Sequence, residues 1–251
     1  MPQITGFPIK PLFIEEFEGL RGVLAWWVVF GHMAAFSGWM GGKEGTPLII
    51  EVFLRGGVPV DVFITMSGFV IFFLLNNKDS GYKKYLTGRA FRLLPAYYVM
   101  LLCAILTLPL GEFAYTHAYW LEPAAIARAS ARYVATTDNL LGHIFLHVSM
   151  LHGLIPDNIF PYAGDSILGA AWSLSLEWQF YLLAPALCWL AQRSIPLAAG
   201  ACLILLLFKL LLLHSPYTFS WGAFLPLKFE FFCLGMGSFL IYRRFCRSGH
   251  L

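Results

Sequence analysis

Arg21 and His32 stand eleven residues apart in a run that is otherwise almost wholly apolar. Eleven residues make about three helical turns, so both side chains leave nearly the same face, about 16 Å apart along the axis. Histidine titrates where general-base chemistry near neutrality needs it. A packed histidine bonded to a backbone carbonyl is the other reading of His32. Arg89 and Arg92 share a helix face by their i, i+3 spacing and follow Lys78, Lys83 and Lys84. Two such guanidiniums can clamp a phosphate, or they can anchor the chain among lipid headgroups. Glu177 lies about 12 Å deep when its helix is read from the outside, a level comparable with His32. A carboxylate there can orient an imidazole, as in a hydrolase triad, or bond to a neighbouring Tyr or Ser.

Other polar groups interrupt apolar runs and therefore point toward protein interior or a watery cavity. Asp61, Ser67, Trp172, Ser173 and Tyr181 are expected to line such a cavity, with a place in the membrane interface the other reading of Asp61, and Gly68 to allow close helix approach. Lys209 and Glu230 are expected to pair structurally between the last two runs. His143 and His147 have an i, i+4 spacing that can hold a metal. No carboxylate motif accompanies them, so a half-buried amphipathic helix is the preferred reading and no metal is expected.

The elements that must position these groups follow from composition. Of 251 residues, 59% are hydrophobic and only 12% charged, against about 25% charged in soluble domains. That is too little charge to cover a soluble surface. The apolar runs are continuous, unlike the alternating ten-residue segments of a lipid-spanning barrel, and about 20 apolar residues cross the hydrocarbon core as a helix. The fold class is all-α, a polytopic transmembrane helical bundle. Spans are expected at about residues 20–37, 58–75, 93–110, 169–190, 195–214 and 222–242. The shorter stretch 140–154 suits a re-entrant or interfacial helix. Four of the five cysteines lie inside apolar runs and none forms a CxxC pair, so they read as small buried apolar residues. No cleavable signal peptide is expected at the N-terminus, so the first span acts as its own insertion signal.

Lys and Arg set the orientation. With both termini cytoplasmic, the inner side holds Lys10, Arg21, Lys78, Lys83, Lys84, Arg89, Arg92, Arg193, Arg243, Arg244 and Arg247. The outer side holds only Lys43, Arg55, Arg128 and Arg132. The basic tail reads as a membrane anchor, not as a nucleic-acid patch.

Four blocks, in order, resemble one family. "FEGLRGVLAWWVVFGHM" is similar to the opening span of the membrane-bound acyltransferase family 3, with its arginine, ten residues, histidine pattern. "GGVPVDVFITMSGFVIFFLL" resembles its Gly-Val-Asp-Phe-Phe-x-x-Ser-Gly-Phe block, with Pro59 added. "YLTGRAFRLLPAYYVMLL" matches its Arg-x-x-Arg segment, and "AAWSLSLEWQFYLLAPAL" its Trp-Ser-Leu-Ser-x-Glu-x-x-Phe-Tyr block. A later helix, "FEFFCLGMGSFL", is similar as well. The domain is placed at residues 12–245, shorter than the roughly ten-span domain usual in the family.

The resemblance implies transfer of an acyl group, most often acetyl, from cytoplasmic acyl-CoA to a hydroxyl of an extracytoplasmic carbohydrate or glycolipid. It implies a bacterial inner-membrane protein such as one that modifies lipopolysaccharide or another surface polysaccharide. His32 takes the family's essential histidine position, Arg21, Arg89 and Arg92 its arginine positions, and Glu177 its glutamate. The donor acyl-CoA would be held by the three arginines, with the thioester near His32. Direct attack by the acceptor hydroxyl and an acyl-histidine route both fit these residues. Two other classes remain open on the sequence: a proton-coupled transporter using His32, Glu177 and the Lys209–Glu230 pair, and a non-catalytic, truncated membrane subunit.

Overall fold

A computed structural model describes residues 12–39, 45–77 and 81–247. Lys10, Lys43 and Lys78 lie outside these residues. The described chain is helical: α1 (Leu12–Phe36), α2 (Leu48–Leu54), α3 (Gly57–Asn77), α4 (Tyr82–Leu106), α5 (Leu108–Thr116), α6 (Pro123–Asp138), α7 (Leu140–Val148), α8 (Trp172–Arg193), α9 (Ile195–Leu213) and α10 (Leu225–Arg247). Proline marks several starts, standing in the first two positions of α5, α6 and α9, where its missing N–H costs nothing. Five helical segments are long and apolar enough to cross a membrane: those of α1, α3, α4, α9 and α10.

The remaining expected span, 169–190, forms a short 3-10 turn (Gly169–Ala171) and then the 22-residue α8. Glu177, Gln179 and Gln192 lower its apolarity. Ser175, Leu176, Gln179, Phe180, Ala184, Leu187 and Cys188 form its buried stripe. Neighbouring helices rather than lipid cover that stripe, so α8 tolerates polar residues that a lipid-facing helix would not.

The chain divides into two compact units, Met1–Asp79 with Leu234–Leu251, and Ser80–Cys233. In the first, α1 packs on α2 and α3, and α10 presses against α3. A Cβ on Gly235 would meet the Thr65 carbonyl oxygen at 2.0 Å and Gly68 Cα at 3.0 Å, so two glycines permit this crossing. Phe69 and Phe239 meet edge to face at 5.7 Å beside it, and Arg243 donates to Asn76 Oδ1 at 2.9 Å. In the second unit α8 is central, packing on α4 and α9. Phe180 stacks on Phe232 at 4.0 Å. Tyr97 and Leu101 of α4 form a core with Met150, Ile167 and Ala171.

The mixed segment after α4 differs most from expectation. It folds as α5, α6 and α7, and the 140–154 stretch is no continuous helix. After nine residues α7 ends, and Met150 takes a φ of +59° before a 3-10 turn at His152–Leu154. At about 13.5 Å, α7 is too short to cross a bilayer. Its polarity is inverted: Leu141 is 82% and Phe145 69% exposed, while His143 and His147 are at most 1% exposed.

Candidate functional site

In the first unit α1 is unbroken across both expected site residues, which fixes Arg21 and His32 on nearly one face about 16 Å apart. Arg21 Nη1 donates to Glu18 Oε1 at 3.1 Å, one turn away. His32 is exposed and makes no hydrogen bond among the described residues. Its predecessor Gly31 lets α2 approach closely, since a Cβ there would sit 2.5 Å from the Phe53 carbonyl oxygen. Trp27 Nε1 ties α1 to the Val52 carbonyl at 3.0 Å. Asp61 is half-buried on α3 and its carbonyl accepts from Thr65 Oγ1 at 2.9 Å. Ser67 is buried on the same helix.

In the second unit α4 begins at Tyr82, so Arg89 and Arg92 sit in its second and third turns. Arg89 is half-buried and makes no ion pair among the described residues, and Arg92 is exposed. On α8 the Tyr181 hydroxyl, one turn on, donates to Glu177 Oε2 at 2.9 Å, so a neighbouring Tyr is one partner of this carboxylate. Trp172 and Ser173 are half-buried at the head of α8. Lys209 of α9 and Glu230 of α10 pair at 2.5 Å, as expected. The expected site residues thus fall on both units, Arg21, His32, Asp61 and Ser67 on one and Arg89, Arg92, Trp172, Ser173, Glu177 and Tyr181 on the other.

Two polar clusters in the second unit were not legible from spacing. The first surrounds His147. The Tyr97 hydroxyl donates to the His147 carbonyl at 2.9 Å and lies 3.2 Å from its Nδ1. His147 Nε2 lies 3.1 Å from Ser166 Oγ. His152 stacks on His147 with ring centroids 4.2 Å apart, and its Nε2 faces the Ala171 carbonyl at 3.3 Å. Burial holds both rings neutral. It pushes His147 well below the ordinary histidine range, helped by the neighbouring His152 and His143. His152 falls to about 4, with the Ala171 carbonyl opposing the shift. Burial also lowers His143. Among the described residues no group of three or more His, Cys, Asp or Glu is arranged to hold a metal.

The second cluster centres on Asp165, which accepts from Arg128 Nη2 at 2.8 Å, Trp221 Nε1 at 3.1 Å and Ser220 Oγ at 3.3 Å. Ser220 also donates to Asp157 at 2.8 Å, whose pKa burial raises against that hydrogen bond. Tyr162 and Trp221 flank this cluster with φ of +58°. With Met150 they are three non-glycine residues in the left-handed region, a conformation that persists only where surrounding contacts over-determine it. The α8 block adds stitches from its inner face. Ser175 Oγ donates to the Met150 carbonyl at 2.8 Å and accepts from Gly153 N at 3.1 Å. Gln179 donates to the Ala223 carbonyl at 2.9 Å and accepts from Leu225 N at 2.9 Å.

A multi-pass helical chain with a histidine in a membrane-spanning helix and a basic helix face defines a class of polytopic membrane proteins. Residues 14–251 match the family model described as an acyltransferase domain. The chain belongs to that acyltransferase family, family 3. No curated protein and no solved structure gives a significant match.

Proposed function

We propose that this membrane acyltransferase uses acyl-CoA, with acetyl-CoA the first donor to test, and transfers the acyl group to a hydroxyl of an extracytoplasmic carbohydrate or glycolipid. The observation that carries the reading is the state of His32. An imidazole in a membrane-spanning helix, exposed and without a hydrogen-bond partner among the described residues, disfavours the structural reading of a packed histidine. An uncommitted polar ring at that depth is costly unless it meets a polar cavity or substrate. His32 is the proposed catalytic base or acyl carrier. Arg21, on the same face, is proposed to bind the donor's phosphates.

Arg89 supports the donor assignment, because a half-buried guanidinium without a carboxylate partner among the described residues is available to a phosphate. Arg92 shares that role from the next turn. Glu177, tethered by Tyr181, is the proposed supporting carboxylate. The bacterial inner membrane is the proposed location, with both termini cytoplasmic.

The test is turnover of radiolabelled acetyl-CoA by purified protein in nanodiscs, with an extract of surface glycolipid as acceptor. His32→Ala should abolish transfer while insertion and expression persist. Substantial transfer by the alanine variant would remove His32 from the mechanism.

A further inference from the structure

A cavity of about 170 Å³ opens in the second unit among the end of α4, α5, α6 and residues 166–169. Sites for drug-sized ligands hold roughly 300–1,000 Å³, so this one fits a single small unit. Glu112, Tyr115, Arg132, Tyr133 and Ser166 supply its chemistry.

Two opposite charges there are only partly satisfied among the described residues. Glu112 Oε1 accepts from the Ser130 hydroxyl at 3.0 Å, whereas Oε2 is buried with no hydrogen-bond partner. Arg132 lies over the Tyr115 ring at 5.9 Å and makes no ion pair among the described residues. A buried acceptor left unpaired is costly.

Ser166 adds a third group of known polarity. The Tyr97 proton goes to the His147 carbonyl, which leaves the phenol oxygen to accept from His147 Nδ1–H. In the neutral ring Nε2 is then an acceptor, and it takes the Ser166 proton. Ser166 therefore offers the cavity lone pairs only. The site presents two acceptors, one multiple donor and two tyrosine rings. A free anion would be opposed by Glu112, and a free cation by Arg132. A ring bearing neighbouring hydroxyls can donate to Glu112 and Ser166, accept from Arg132, and lay its C–H face on a tyrosine.

We propose that this cavity binds one uncharged sugar ring.

Binding is tested on the full chain in lipid nanodiscs free of glycoside detergents. Saturation-transfer NMR would use the methyl pyranosides of glucose, galactose, mannose and rhamnose. At least one should bind saturably. Glu112→Gln and Arg132→Gln should each weaken it about tenfold or more. A diazirine-bearing version of the bound glycoside, used on the unmutated protein, should label residues 104–133 or 166–169. This keeps the test valid if either variant fails to fold. The assignment is overturned if none of the four glycosides binds folded protein, if both variants bind normally, or if the label lands elsewhere. Binding confined to a zwitterion such as glycine would also overturn it. Sugar binding without acyl transfer from any donor would count against the proposed function and leave the cavity assignment standing.

Discussion

Gln179 is 6% exposed and holds two backbone groups that precede and open α10. Its side-chain amide donates to the Ala223 carbonyl and accepts from Leu225 N, both at 2.9 Å. Gln179→Ala leaves both groups buried and unpaired. Each stranded group costs about 1–3 kcal/mol, so the variant should lose about 2–6 kcal/mol. At roughly 2–4 °C per kcal/mol for a chain of this size, a loss near the middle of that range lowers Tm by roughly 8–16 °C. Gln179→Glu sharpens the test. Its neutral acid reproduces both hydrogen bonds, while its carboxylate sets a negative oxygen against the Ala223 carbonyl. The folded state thus favours the protonated form and raises the pKa of the new acid above the unfolded value of about 4.3. The contribution is fully present below that value and is lost as pH rises through the folded-state pKa. Gln179→Glu should therefore match the unmutated protein near pH 4 and fall below it at pH 7. The comparison is made at each pH, because the unmutated protein itself loses stability in acid as His143, His147 and His152 take up protons. Tryptophan-fluorescence melts in nanodiscs give both readouts. A Tm change under about 2 °C in Gln179→Ala, or a pH-independent gap in Gln179→Glu, would refute the reasoning.

Arg89→Ala and Arg92→Ala should each weaken acyl-CoA binding by about 1.5–3 kcal/mol if a charge-assisted hydrogen bond is lost, with acceptor affinity unmoved. Equal donor affinity in both variants, measured by titration with a non-hydrolysable acyl-CoA, would leave only the anchoring role. Lys209→Met should destabilise by about 1–3 kcal/mol, because it leaves the part-buried Glu230 carboxylate without its ion pair. The double variant Lys209→Met with Glu230→Leu should recover most of that loss in the same melt, since removing a whole pair is far less costly than breaking one.

The sequence by itself determined the membrane setting, the helical class and the family. These rest on composition and on residue patterns that need only one helix at a time. A helix fixes its own periodicity, so Arg21 and His32 share a face of α1 whatever surrounds them, and Glu177 finds Tyr181 one turn on. The i, i+3 relation of Arg89 and Arg92 is local in the same way. Tertiary structure alone decided the region from residue 107 to 171. There the histidines turn inward while Leu141 and Phe145 face out, an inversion that spacing does not reveal. Tyr97 reaches His147 across 50 residues and Trp221 reaches Asp165 across 56. Arg132 counted in the sequence only as a charge on the outer side, yet it walls a cavity with Glu112 and Ser166. The local segment names none of these partners. Burial acts on all of them together, because a polar group removed from water must find its partner wherever the fold brings one.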